Sequence, residues 1–276
     1  SSLSKKLLER LDSLVSKDLD VLIEGENGTG KDFSVNYTLG QENYLKVQSS
    51  SFEEEINSLD KTEINHIYID NLEDLTYRAQ LIVMKLIETR KIENAGKVIE
   101  VKGRVFGSCH PGIVSKVKEK EFREELYSKL SSIKVSLPSL RERKEDILLF
   151  TKFFIDKFNS KHSKKIESIS DNLEEFLLNY YWPGNVTQLE ALIESQVVFT
   201  KGKTLDKRSI PKDFIENSTI KFIDKLNVIP GVSMEDYERE IIRVNLLYTG
   251  GNREKTAKIL GISERTLYRK IKKFNF

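Results

Sequence analysis

Cysteine is almost absent from this chain of 276 residues. Cys109 stands alone, so no intrachain disulfide can form, and a reducing cytoplasm is the expected setting. Long apolar runs are missing too. Ile147-Leu148-Leu149-Phe150 is among the greasiest stretches and falls far short of the roughly 20 residues a spanning helix needs, so no membrane partner is expected. The opening Ser1-Ser2-Leu3-Ser4-Lys5-Lys6 has no signal-peptide core, and the chain begins inside a helical pattern, so a further upstream domain is expected. Three scattered histidines beside one cysteine give no metal-ligand spacing. His66 and His162 read as structural or exposed, and no Ser-His-Asp arrangement can be argued. Internal repeats and low-complexity segments are absent.

What is present describes a folded chain, 32% charged and 38% hydrophobic, long enough for two domains or three small ones. The net charge of +2 is unevenly spread. Residues 253–276 hold eight bases against two acids, leaving +6 there and −4 on everything before. A basic end on a slightly acidic body points to a polyanion partner for that end.

The organising stretch is Gly25-Glu26-Asn27-Gly28-Thr29-Gly30-Lys31-Asp32, which follows the apolar Val21-Leu22-Ile23. A glycine, four residues, then Gly30-Lys31 is the spacing of a phosphate-binding loop. Glycines let the backbone curl so that amides point inward, a helix N-terminus adds positive potential, and Lys31 reaches the outer phosphates. Asp32 stands where Ser or Thr would hold Mg²⁺ in most such loops. Gly25 to Asp32 are therefore the candidate nucleotide contacts, with ATP or ADP and Mg²⁺ as the cofactors implied.

Residues 3–15 have helical spacing. Short apolar runs at 20–24, 44–48, 66–70, 104–108 and 133–137 read as strands, with a helix at 79–90 and one short helix at most in 49–64. Strands alternating with helices predict an α/β fold, a parallel sheet with helices on both faces and ligand at the carboxyl ends of its strands. After Pro138 the pattern becomes all-helical, with helices at 145–159, 171–179 and 186–199 broken by Trp182-Pro183-Gly184. Trp182 reads as packing rather than as a base stack. Asp70 closes an apolar strand downstream of the loop, the Walker B arrangement, and would hold Mg²⁺ directly or through water. Asn71 follows it. An amide orients water but takes no proton from it, so general-base help is lost.

Four motifs occur in order: the glycine loop, Phe122-Arg123-Glu124-Glu125-Leu126, Leu137-Pro138-Ser139-Leu140-Arg141-Glu142-Arg143-Lys144-Glu145-Asp146-Ile147, and Trp182-Pro183-Gly184-Asn185-Val186. Together they resemble the AAA+ domain of bacterial enhancer-binding proteins, the NtrC-like activators of sigma-54 RNA polymerase. The resemblance runs over residues 3–214. In that family an acid follows the loop lysine, as Asp32 does. It also implies a GAFTGA loop that touches the sigma factor, and residues 48–66 are too short to hold it. The family's Walker B pair is Asp-Glu, against Asp70-Asn71, and the amide restraining that Glu matches Gln48. Of two arginines expected to reach a neighbour's nucleotide, Arg123 matches and Lys129 replaces the second, losing the planar fork for bidentate phosphate contact. Thr187 stands for the sensor arginine, and Cys109-His110 resembles the polar sensor pair. The departures fall on hydrolysis and force transmission and spare nucleotide binding. Losing arginine-finger stabilisation alone is worth ~10³–10⁵ in rate.

The end of the chain makes its own case. Residues 252–260 form a short helix with Ala257 and Leu260 inward, Gly261-Ile262-Ser263 a turn, and residues 264–274 a helix burying Leu267 and Ile271. This is a helix-turn-helix with a basic second helix. Ser263, Glu264, Thr266 and Tyr268 are candidates for base edges. Arg265, Arg269, Lys270, Lys272 and Lys273 complete the DNA-binding set, with the bases near 270–273 on phosphates. The pattern is similar to the Fis-type domain that ends most enhancer-binding proteins.

The expected domains are a nucleotide-binding subdomain over 1–142, a helical lid over 143–218, a linker over 219–232 and the helix-turn-helix over 233–276. The expected function is a DNA-binding transcription regulator with a degenerate AAA+ domain, binding double-stranded DNA as a dimer or higher oligomer. RNA polymerase is a further partner implied by the resemblance, and the missing loop argues against sigma-54 contact. Two rivals fit the same residues: an active sigma-54-dependent ATPase, and a regulator whose pocket reads another nucleotide such as a cyclic dinucleotide.

Overall fold

In the computed structural model, residues 1–15, 17–40, 42–59, 62–94, 96–210, 233–249 and 251–274 are described. They fall into two units, Ser1–Pro211 and Lys212–Phe276. The expected linker at 219–232 lies outside the described residues, as do positions 211–218 of the expected lid.

The first unit begins with α1 (Ser2–Val15), whose Leu11 and Leu14 are buried, and β1 (Val21–Glu24). The glycine loop leads into α2 (Lys31–Leu39), then β2 (Tyr44–Gln48) and α3 (Phe52–Ser58). There follow β3 (Glu63–Ile64), β4 (His66–Asp70), α4 (Tyr77–Thr89), β5 (Lys91–Asn94), β6 (Lys97–Val101) and β7 (Val105–Cys109). Helices α5 (Ile113–Lys118) and α6 (Glu124–Leu130) precede β8 (Lys134–Ser136). Strands β2-β4-β7-β1-β8 form an entirely parallel sheet in that order, the α/β arrangement that the alternating pattern predicts.

Register is what positions the site. In β2 and β4, Lys46 pairs with Tyr68 and Gln48 with Asp70, while Phe106 of β7 pairs with Tyr68. Side chains alternate between faces along a strand, so Lys46, Gln48, Tyr68, Asp70 and Ser108 share the face that α1 and α2 cover. There Val21, Ile23, Val35, Leu39, Tyr68 and Phe106 form one core. Leu22, Ile67, Ile69, Val105, Leu126 and Leu130 belong to the other core, across the sheet. A second sheet, β3-β6-β5, with an antiparallel β5–β6 hairpin, was not foreseen.

The lid consists of α7 (Glu145–His162), β9 (Ser168–Ile169), α8 (Asp171–Asn179), α9 (Asn185–Phe199) and β10 (Thr204–Leu205). It is not all-helical, because β9 and β10 pair in parallel. Two-residue strands carry too short a pattern for alternation to register. Trp182 is fully buried, its indole Nε1 donating to Leu177 O at 2.8 Å, so it packs the lid as expected.

The second unit holds α10 (Met234–Tyr248), α11 (Arg253–Leu260) and α12 (Glu264–Phe274), packed on Ile242, Ala257, Leu267 and Ile271. Each start is capped: Ser233 Oγ accepts from Asp236 N at 3.2 Å, Asn252 Oδ1 from Lys255 N at 3.0 Å, and Ser263 Oγ from Thr266 N at 3.1 Å. Gly261 turns at φ 65, a left-handed conformation that suits glycine. Among the described residues no helix is long and apolar enough to cross a membrane.

Candidate functional site

The glycine loop curls through Gly28 and Gly30, whose φ values of 77 and 105 belong to the left-handed region. Helix α2 starts at Lys31, and its first internal hydrogen bond runs from Ser34 N to Gly30 O at 3.0 Å. The amides before Ser34 thus have no acceptor within the helix. Of the residues that carry them, Lys31 and Asp32 line a cavity of about 250 Å³ together with Asn27, Gly28, Gly30, Asp70, Asn71 and Thr187. The Lys31 ammonium is folded back, donating to Gly25 O at 3.1 Å. Six of the nine expected nucleotide contacts therefore line one cavity. Gly25, Glu26 and Thr29 do not. Thr29 is buried and its hydroxyl donates to Glu26 O at 2.7 Å.

Glu26 turns instead toward the lid. Its carboxylate takes the Arg141 guanidinium at 2.8 Å and 2.5 Å, a two-pronged pair, and the Asn185 amide at 3.1 Å. These partners, Arg141 first, outweigh burial and lower the Glu26 pKa to about 2. Asn185, at the start of α9, is fully buried; it also donates to Asn27 O at 2.9 Å and accepts from Leu140 N at 2.7 Å. Val186 N donates to Gly28 O at 2.9 Å, and Arg143 Nη2 to Thr29 O at 2.9 Å. A Cβ on Gly28 would lie 2.1 Å from Gly184 O. The lid is thus stapled to the loop along its length. Arg141, Arg143 and Asn185 were visible as motif members. Nothing in the sequence marked them as the residues that reach the loop.

Across the cavity, Asp70 is surrounded by donors. Its Oδ1 accepts from Ser108 Oγ at 2.5 Å and Tyr68 OH at 3.0 Å, and its Oδ2 faces Gln48 Nε2 and Lys46 Nζ, each at 3.3 Å. The single Tyr68 proton is shared between Asp70 and Asp32, so Ser108, Gln48 and Lys46 are the donors Asp70 has to itself or from a group with protons to spare. Burial raises the Asp70 pKa, but these hydrogen bonds and the ammonium outweigh it and hold the carboxyl below its ordinary range. Lys46 also binds Asp32 Oδ2 at 2.7 Å, and Tyr68 OH reaches Asp32 Oδ1 at 2.9 Å. Burial lowers the Lys46 pKa, and Asp32 and Asp70 more than restore it, so the ammonium stays charged. Sequence reasoning missed Lys46; its one signal was a charge inside an otherwise strand-like run. Mg²⁺ demands near-octahedral oxygen ligands at about 2.0–2.1 Å. Asp70, the expected ligand, is held by Ser108 and Gln48 and faces the Lys46 ammonium, so the residues as arranged do not fit that ion, bound directly or through water. Among the described residues there is no cluster of His, Cys, Asp and Glu of metal-binding type.

In the second unit, Arg265, Tyr268, Arg269 and Lys272 are exposed on α12, with Ser263 and Glu264 exposed at its start and Thr266 half-buried. Lys270 and Lys273 turn back, pairing with Glu238 at 2.5 Å and Glu235 at 3.0 Å on α10. Among the described residues Arg265, Arg269 and Lys272 have no ion-pair partner.

The family described as "Sigma-54 interaction domain" matches residues 1–140. The chain belongs to it. "AAA+ ATPase lid domain" matches 141–223 and "Bacterial regulatory protein, Fis family" 233–274, which makes the chain an NtrC-like enhancer-binding protein of the sigma-54-dependent regulators. It is 28% identical to the transcriptional regulatory protein ZraR of Salmonella typhimurium over 96% of this chain and 66% of that one. To a signal-transduction and transcriptional-control protein of Clostridium beijerinckii it is 29% identical, over all of this chain and 48% of that one. The chain thus spans about half to two thirds of the length of such relatives. NtrX of Brucella abortus, solved in complex with ADP, shares the fold at a TM-score of 0.73 with 22% identity, over 100% of this chain and 69% of that one.

The positions expected to depart from that family can be placed. Asn71 takes φ 56, a left-handed conformation Asn tolerates, with its N–H on Ser108 Oγ at 3.1 Å. Gln48 contacts Asp70 rather than Asn71. The Arg123 guanidinium stacks on Tyr77 at 3.8 Å from its own chain, and Lys129 pairs with Glu88. Thr187 lines the cavity, while Cys109 is buried and its thiol pushed up to about 12.

Proposed function

We propose that this enhancer-binding protein is a DNA-binding transcription regulator whose AAA+ domain holds the phosphates of a nucleotide and turns it over poorly or not at all. The reading rests on one juxtaposition. A loop cavity with Lys31 and unpaired helix amides is bordered by Asn71 and Thr187, where hydrolysis calls for a carboxylate and an arginine. The loop binds and the far wall does not activate water. Lys129 offers a point charge where a second finger from a neighbour would act. ATP or ADP is the ligand class, in a cytoplasmic protein. Double-stranded DNA is the partner of α12, read as a dimer or higher oligomer, with two recognition helices about one helical turn, ~34 Å, apart. RNA polymerase is a downstream partner on family grounds, without the loop that carries force to sigma-54.

Phosphate release by the purified chain, with and without DNA, tests this. The expected result is ADP binding, by thermal shift, with no turnover above the buffer rate. Sustained ATP hydrolysis would favour the active sigma-54 ATPase. A shift with a cyclic dinucleotide and none with ADP would favour the pocket's having changed ligand.

A further inference from the structure

The Lys46 ammonium lies between the two carboxylates that border the phosphate cavity, 2.7 Å from Asp32 Oδ2 and 3.3 Å from Asp70 Oδ2. Chance placement of a long surface side chain does not account for it. Strand register sets Lys46 beside Tyr68 and Gln48 beside Asp70, so the lysine stem starts one pair below the acid and on the same face. Its ammonium then lies 5.3 Å from the Tyr68 ring centroid, and the Tyr68 hydroxyl reaches both acids. Ser108 and Gln48 also donate to Asp70. A divalent ion entering here would have to displace a tethered cation from both ligands, and would then sit against it.

We propose that Lys46 takes the place of the divalent cation in this pocket, neutralising Asp32 and Asp70 from the strand side so that nucleotide phosphates bind without a metal ion. In a magnesium-dependent site the ion offsets the repulsion between acidic side chains and phosphate. Here the chain carries that charge itself, and Lys31 supplies the positive charge on the cavity wall. This rests on the nucleotide reading above and adds to it a statement of what the pocket does not need. It also accounts for an asymmetry among the departures: without a bound metal there is little for a catalytic carboxylate at position 71 to work with.

The test uses the full chain and two probes, ADP and Mn²⁺. ADP affinity of the unaltered protein, by calorimetry, is expected to change less than about threefold between excess Mg²⁺ and EDTA, and Lys46→Met to need the metal, with at least a tenfold difference. Lys46→Arg, which keeps the charge, is expected to restore metal independence. Mn²⁺ followed by electron paramagnetic resonance without nucleotide is expected to bind Lys46→Met and not the unaltered chain. A strict magnesium requirement in the unaltered protein overturns the proposal, as does a Lys46→Met variant that ignores the metal. If ADP binds in neither condition, the nucleotide reading fails by itself. The Mn²⁺ arm then decides: binding to the unaltered chain overturns the role of Lys46, and binding only to Lys46→Met supports it.

Discussion

Replacing Asn185 with Ala should unfasten the lid from the glycine loop. The substitution deletes an acceptor for Leu140 N at 2.7 Å and donors to Asn27 O at 2.9 Å and Glu26 Oε2 at 3.1 Å. Leu140 is fully buried, so its N–H loses its partner away from water, at about 1–3 kcal/mol. Asn27 is exposed and Glu26 half-buried, so water replaces those two bonds at roughly 0.5–1.5 kcal/mol each. Asn185 also sits at φ 49, where Ala is worse than Asn by about 1 kcal/mol. The sum is about 3–7 kcal/mol, a large share of the ~5–15 kcal/mol a domain has. Trp182 is the only tryptophan, and it is fully buried three residues away, so its fluorescence reports lid unfolding directly. With a urea slope near 3 kcal/mol/M the midpoint should fall by roughly 1 M or more. Asn185→Gly keeps the backbone angle affordable and should recover about 1 kcal/mol of that. A fall of under about 0.3 M for Asn185→Ala would mean the three bonds do not hold the lid.

Acid should loosen the same junction. The Glu26 pKa is depressed from 4.5 to about 2, so its contribution is complete above pH 4.5 and is lost as pH falls toward 2. Solvent reaches part of the pair, which discounts the contribution to ~1–2 kcal/mol. Urea midpoints of the protein and of Glu26→Gln should therefore converge between those pH values, and parallel curves would exclude this origin. On α12, Arg265→Ala with Arg269→Ala should flatten the salt dependence of binding to random-sequence duplex DNA by about two phosphate contacts. Lys270→Ala with Lys273→Ala should cost less, because those ammonium groups already face Glu238 and Glu235. Equal losses, read by fluorescence anisotropy at several salt concentrations, would contradict the geometry.

The sheet was legible because each of its strands is a short apolar run bounded by turns, and because the glycine loop fixes where the first one ends. The lid helices were legible from periodicity, with ends displaced by a few residues: α7 runs to His162, past Asn159. The small sheets were not. Strands β9 and β10 are two residues each, and the β5–β6 hairpin lies among charged residues whose pairing is decided across the turn. At the site, residue type predicted the cavity wall well but not its charge balance. Whether Lys46 points at solvent or at Asp32 depends on register with β4, which is a long-range fact. Lys270 and Lys273 teach the same lesson, since a basic helix read alone cannot tell which bases a neighbouring helix has claimed.

The solitary thiol offers a practical return. Cys109 ends β7, the middle strand of five, with no exposed surface and its proton held to about pH 12. A maleimide or disulfide dye therefore reacts only when the strand parts from its neighbours, and then once per molecule. Reaction speed becomes a stopwatch for the opening of the sheet, with no tag or substitution required.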